Sequence, residues 1–334
     1  MRKPYISVIV IAYNRRKYIR HAIESVINST LPEDSYELIV VKNFRDELVD
    51  SAVEKLGGRS ILADIASIGV KISLGIKVAR GDVITFLEDD DMYYPARLEV
   101  IRDVFWSNPS LIYYHNNVSV IDESNRLIYD EMIEKTNIPR EVIANNSDEK
   151  LYVLKSYGLC LGLRSSAMAV RRSFIARWVN MIKLFPDLVD VLIYLLAIVD
   201  RGSLLHDPRR LTYYRVSETS ISSVRLVRDP VNRFTKAVKN SARHALARHM
   251  LVTLAKSVGL GSYVGYDEAT VVGGIYSNWG KFLAKAVVNL ADCRSITCLG
   301  ATILGVTYLL NPLLAKRLVY LYYTRLFNLW RLMS

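Results

Sequence analysis

The strongest constraint on the fold is an alternation of β-branched runs with helix-spaced apolar residues across residues 7–91. Ser7-Val8-Ile9-Val10-Ile11 reads as a central strand, and Ala12-Tyr13-Asn14-Arg15 as the turn after it. Residues 17–28 place Ile19, Ala22, Ile23, Val26 and Ile27 at helical spacing. Glu37-Leu38-Ile39-Val40-Val41 predicts a second strand, 45–56 a helix, 61–65 a short strand and 68–78 another helix. Val83 to Leu87 predicts a further strand, and Glu88-Asp89-Asp90-Asp91 follows directly. Strands alternating with helices imply a parallel sheet with right-handed crossovers.

Four adjacent carboxylates repel one another, so the strand is expected to end at Leu87 with the acids at its carboxyl end. Open α/β sheets bind their ligands there. Oxygen donors gathered at one point suit a hard divalent cation, Mg²⁺ or Mn²⁺. An isolated acidic run would read as a solvated turn, so its meaning depends on the rest of the chain.

Further along, 97–104 predicts a helix, and 111–114 and 118–121 predict strands. Residues 122–150 read as loop. A strand is expected at 167–170, a helix at 174–181, an apolar helix at 190–200 and a strand at 211–216. The three cysteines, Cys160, Cys293 and Cys298, suggest neither a disulfide framework nor a zinc site. The amino-terminal residues show no signal-peptide pattern, which fits a reducing, cytoplasmic setting. The absence of glutamine leans towards a thermophile, and the many asparagines lean away from one.

Charge divides the chain. Residues 225–334 hold 15 Lys and Arg against 4 Asp and Glu, so the formal net charge of +11 resides in this part. A basic amphipathic pattern runs over 230–257, and residues 295–315 carry no charge. Tyr, Trp, Lys and Arg beyond them resemble interfacial anchors. This predicts a body over 1–224 and a mainly helical, basic and apolar region over 225–334 that attaches to a membrane surface or inserts into it re-entrantly. A full span and an apolar soluble subdomain or dimer interface are the alternatives. Positive charges spaced by long aliphatic stretches suit anionic lipid better than nucleic acid.

Taken together, the motifs resemble the family-2 inverting glycosyltransferases, as an archaeal-type member with a membrane-associated carboxyl-terminal region. The residues carrying the resemblance are Ser7 to Arg15, Glu37 to Val41, Gly75-Ile76 with Ala79-Arg80-Gly81-Asp82, the acids with Pro95, and Leu211 to Arg215 with Ser220-Ile221-Ser222. The resemblance covers about residues 5–222 and implies a GT-A fold, a doubly wound, mostly parallel sheet flanked by helices.

It also implies roles. Asp90 matches the metal-binding acid, Asp91 is a supporting ligand or a helix N-cap, and Glu88 and Asp89 border the nucleotide-sugar. Ile11, Tyr13, Asn43, Lys71 and Arg215 match nucleotide-sugar positions. Lys71 is otherwise a solvated helix residue. Lys42-Asn43 stands where relatives carry two aspartates, which leaves the base open; Lys42 adds positive charge there or is a plain exposed lysine. Asp190 matches the general base, with Asp187 as fallback and N-cap. Arg171-Arg172 and Arg209-Arg210 offer further phosphate contacts or plain surface charge.

The expected reaction is metal-dependent transfer from a nucleotide-diphosphate sugar to a lipid-linked or polysaccharide hydroxyl at the inner face of the cell membrane, compatible with a homo-oligomer. A sugar-nucleotide nucleotidyltransferase is the alternative enzyme, though it would carry a glycine-rich first loop. A membrane-tethered scaffold with a decayed site is the alternative outside enzymology.

Overall fold

The computed structural model describes residues 3–217, 247–248 and 250–261. The body opens with β1 (Ile6–Ile11), α1 (Ile19–Ile27), β2 (Tyr36–Lys42), α2 (Glu47–Lys55), β3 (Arg59–Leu62), α3 (Ile68–Val78) and β4 (Val83–Glu88). β1 pairs in parallel with β2 on one side and β4 on the other, and β2 with β3. Every residue of β1 is buried. A strand covered on both faces has no polar alternation, which is why this run is apolar apart from Ser7, whose hydroxyl is paired with Glu37. α3 lies so close to β1 that a Cβ on Gly75 would sit 2.6 Å from Ile9 Cγ2, so a side chain there would force the layers apart.

The second half comprises β5 (Met92–Tyr93), α4 (Arg97–Ser107), β6 (Leu111–Ile121), α5 (Glu131–Glu134), β7 (Val142–Ala144) and α6 (Ser147–Tyr157). Then follow β8 (Met168–Arg171), α7 (Arg172–Ile175), α8 (Val179–Leu184), α9 (Val189–Val199) and β9 (Ser203–Arg215). One sheet runs β3-β2-β1-β4-β8-β6-β9-β5, with β7 added on β9. Its long ladders are parallel, including β6 with β9; β8 enters antiparallel between β4 and β6.

Several boundaries differ from expectation. β4 continues through Glu88, whose backbone stays in register with Ile11. The two strands expected at 111–114 and 118–121 are one, because the polar residues between them are buried with partners. Asn116 accepts from Arg97 Nε at 3.0 Å, and Asn117 donates to Ile138 O at 2.7 Å. Within the expected loop at 122–150 lie α5, β7 and the start of α6. The helix expected at 174–181 is broken by a 3-10 turn at Ala176–Trp178.

Two buried charges fasten the layers. Arg97 is 0% exposed, stacks 4.0 Å over the Tyr93 ring, and also donates to Thr85 Oγ1 (2.8 Å) and Met168 O (3.3 Å). It thereby ties α4 to β4, β6 and β8. Lys150 Nζ donates to Ala197 O (3.0 Å) and Asp200 O (2.6 Å), satisfying carbonyls at the end of the apolar helix α9.

Of the basic amphipathic stretch at 230–257, only 247–248 and 250–257 are among the described residues, and these are helical. The uncharged stretch 295–315 and Ser220 to Ser222 lie outside them. Among the described residues, no helix is long and apolar enough to cross a membrane.

Candidate active site

The carboxyl ends of β1, β2 and β4 form one rim, where Ile11 faces Val41 on one side and Glu88 on the other. Ile11 is buried and offers only backbone there. The turn after β1 is clasped to the end of β2: Asn43 Oδ1 accepts from Asn14 N (2.9 Å), and Asn43 Nδ2 donates to Asn14 Oδ1 (2.7 Å). Asn14 holds φ 57°, a left-handed conformation that asparagine tolerates better than most residues. Asn43 Nδ2 also reaches Asp64 Oδ1 at 3.4 Å, so this carboxamide is engaged on the turn. Lys71 is buried, with its ammonium 4.8 Å from the Tyr13 ring centre. It is not the solvated helix lysine that was one expectation.

Lys42 does not face the rim as an exposed cation. It is buried, donating to Phe44 O (2.9 Å) and pairing with Asp50 at 2.8 Å. Asp50, in the first turn of α2, supplies the counter-charge that draws it inward.

Arg15, carried by the β1 turn, holds the centre of the acidic run. Its Nη1 bonds Asp90 Oδ2 and its Nη2 bonds Asp89 Oδ1. Longer contacts run from Nε to Asp89 Oδ2 (3.3 Å) and from Nη2 to Asp90 Oδ1 (3.1 Å). All four oxygens of these two carboxylates therefore accept from one guanidinium. Glu88 is pushed up to about 7 by burial, with the Asp90 charge adding to it. Asp89 is also pushed up to about 7, by burial against the pull of Arg15. Burial and Asp90 raise Asp91.

No group of three or more His, Cys, Asp or Glu side chains is arranged as a ready metal cage among the described residues. The chemistry of the donor set nevertheless fits a hard cation. Glu88 to Asp91 offer only carboxylate oxygens at the end of one strand, the donor type such a cation takes, and burial is the main cause of the raised acids, with neighbouring carboxylate charge adding to it.

Asp91 does not cap a helix, since α4 starts six residues later, at Arg97, with no side-chain cap. Its Oδ1 accepts from Arg215 N at 2.9 Å. Arg215 Nε donates to Asp90 O (2.7 Å) and Nη1 to Asp122 O (2.7 Å), while the guanidinium stacks 4.4 Å over Tyr18. Arg215 thus braces the acid turn from behind.

Three consecutive residues before β8 bind the site together. Arg164 N donates to Asp190 Oδ2 (2.8 Å), Ser165 Oγ donates to Glu88 Oε1 (2.7 Å), and Ser166 Oγ accepts from Glu88 N (3.0 Å). Asp190 Oδ1 also accepts from Val191 N at 2.8 Å. Burial raises Asp190, and its backbone hydrogen bonds only partly offset that. Its charge is felt at Glu88. Asp187 Oδ1 accepts from Leu188 N at 2.9 Å and adds to the shift of Asp190. Of the four non-glycine residues with positive φ among the described residues, Asn14, Arg164 (75°) and Leu188 (54°) all border this site. Strain concentrated in this way accompanies functional geometry.

Sequence reading missed Arg15, Asp64 and the 164–166 segment. The other candidate arginines are committed to the fold: Arg171 to Leu111 O, Arg172 to Gly81 O, Arg209 to Asp207 and Arg210 to Glu134.

The profile of glycosyl transferase family 2 matches residues 7–173, half of the chain. An uncharacterised glycosyltransferase of Haemophilus influenzae is 27% identical over 173 residues, covering 48% of this chain and 58% of its own. One from Nostoc is 30% identical over 131 residues, 37% of this chain and 39% of its own. One from Methanocaldococcus jannaschii is 27% identical over 142 residues, 40% and 49% respectively. The chain thus spans less than two thirds of these relatives. Among solved structures, Staphylococcus aureus TarS 1-349 in complex with UDP-GlcNAc aligns with TM-score 0.51 at 15% identity, covering 90% of this chain and 79% of that one. That likeness shows the fold, which is of the GT-A type.

Proposed function

The chain belongs to glycosyl transferase family 2, and from that membership we propose an inverting transfer of a sugar from a nucleotide-diphosphate donor to an acceptor hydroxyl, with Asp190 as general base. The observation carrying this reading is the placement of Asp190, on a different element, against the acid turn of β4 through the 164–166 segment. Inversion requires a base that takes the acceptor proton as the hydroxyl attacks C1 and the diphosphate departs. A carboxylate raised by burial is a stronger base than a solvated one, which suits it to that exchange. Asp187 is the neighbouring carboxylate that would take over if Asp190 only positions the acceptor.

The nucleotide would lie along the rim formed by Ile11, Tyr13, Asn43 and Lys71, with Glu88 and Asp89 beside it. TarS, of the same fold, was solved with UDP-GlcNAc and supports a nucleotide-sugar donor here. Asp90, supported by Asp91, would hold Mn²⁺ or Mg²⁺. When bound, the cation neutralises charge on the leaving diphosphate. Arg215 fixes the backbone of Asp90 and so sets where its carboxylate points. The basic composition of 225–334 supports a lipid-linked or glycan acceptor at the cytoplasmic membrane face, and a division into a catalytic part, 1–224, and a membrane-associated part, 225–334.

The test is purified full-length protein with Mn²⁺ and a panel of UDP-, GDP- and dTDP-sugars, reading nucleotide release and transfer to membrane extracts. Turnover of at least one donor, lost in Asp190→Asn, is expected. No turnover of any donor with any extract refutes the reading.

A further inference from the structure

Resting on the metal and donor reading above, we infer that Arg15 and the divalent cation are alternative occupants of the same carboxylate oxygens, so that the donor diphosphate admits the metal by drawing Arg15 away. Three observations carry this. Arg15 engages both oxygens of Asp89 and both of Asp90, so a cation reaches Asp90 only when the guanidinium withdraws. The aspartate side chains are 2% and 9% exposed, whereas that of Arg15 is 34% exposed. The mobile partner is therefore the arginine, on a long stem at the solvent side. The backbone of Arg15 follows the Asn14–Asn43 clasp, which roots the side chain on the nucleotide rim beside Tyr13.

The consequence is a thermodynamic coupling. Metal alone must displace a buried bidentate ion pair and so binds weakly. A diphosphate offers the planar guanidinium a doubly negative partner whose phosphoryl oxygens its fork can grip bidentately. Once Arg15 has moved to the diphosphate, the aspartates are left uncompensated and take the cation readily. By reciprocity the cation strengthens diphosphate binding by the same factor. Arg15 is then a positioning residue that makes metal and donor arrive together, and it keeps the acids neutralised between turnovers.

The experiment is Mn²⁺ titration followed by electron paramagnetic resonance, with and without UDP or GDP, on full-length wild type, Arg15→Gln and Arg15→Lys. In wild type the nucleotide should tighten Mn²⁺ by about tenfold or more. In Arg15→Gln, Mn²⁺ alone should bind about tenfold tighter than in wild type, and the nucleotide effect should shrink. Arg15→Lys should fall between them. Thermal melting gives a second readout if Arg15→Gln is unstable. Removing the counter-charge lowers its Tm, and Mn²⁺ without nucleotide should restore it by more than it raises wild type. Equal Mn²⁺ affinity in wild type and Arg15→Gln, or no restoration of Tm, overturns the exchange while leaving the metal site standing. Absence of Mn²⁺ binding in every variant, with nucleotide present, overturns the metal reading and the exchange with it.

Discussion

Asp190→Asn separates chemistry from folding more cleanly than any other substitution in this site. The carboxylate accepts two backbone N–H groups, Arg164 N and Val191 N, both at 2.8 Å. Asparagine keeps the shape but brings one acceptor oxygen, so one of those N–H groups loses its partner. A buried donor left unpaired costs about 1–3 kcal/mol, which for a body of this size lowers Tm by about 3–10 °C. The fold should survive that. The chemical loss is larger: removing a general base costs about 10²–10⁴ in kcat, equivalent to about 3–5 kcal/mol of barrier. Donor affinity should hardly change, because neither oxygen is placed on the nucleotide rim. The pH profile gives the sharper signature. Burial raises Asp190, so wild-type kcat should fall as pH drops through a value above the ordinary aspartate range. The residual activity of the variant should lack that limb. Steady-state kinetics across pH, with Tm measured in parallel, decide it. A variant with kcat within about threefold of wild type and an unchanged acidic limb would show that Asp190 is not the base.

Asp90→Asn should reduce turnover at least about 100-fold and weaken Mn²⁺-dependent nucleotide binding by calorimetry; retained metal dependence would assign the cation elsewhere. Glu37 accepts from Ser7 Oγ (2.7 Å), Arg80 N (2.6 Å) and Arg80 Nε (2.8 Å); burial pushes it up, but these bonds win and hold it below its usual value. Its stabilisation is therefore complete above the unfolded pKa of about 4.3 and is lost as pH falls through the lower folded value. Glu37→Gln should flatten the acid side of a Tm-versus-pH curve, and an unchanged slope there refutes the role. Arg97→Leu should cost about 2–4 kcal/mol in urea unfolding, since Asn116 Oδ1 and the contacts of β8 lose their donor deep in the sheet.

What the sequence made legible follows from where partners lie. β1, β2 and β4 are buried between parallel neighbours, so their own composition announces them. β6 contains His115, Asn116 and Asn117 at its middle and reads as two strands, because the residues that satisfy those side chains are about 20 or more positions away in most cases. β9 begins at Ser203 rather than 211, since His206 to Arg210 looks like a turn and becomes strand only through the irregular register with β6. The acids stand out as a group, whereas Asp190 enters as a candidate only through the resemblance. Arg15 does neither, because no local pattern says which carboxylates an arginine will face across 74 positions of chain. Arg164 and Val191 contribute backbone N–H groups, to which side-chain chemistry gives no clue.

The three residues from Arg164 to Ser166 act as a common ruler. They touch Asp190 on one side and both backbone and side chain of Glu88 on the other. Asp190 and the acid turn are thus measured from one point rather than from each other. Chain length can then vary in the exposed turn at 123–129, after β6, without altering their separation. A single inserted residue between Arg164 and Met168 would shift both at once. Divergence in this protein is expected to accumulate as additions on the first stretch, where new acceptors could be accommodated, and to avoid the second.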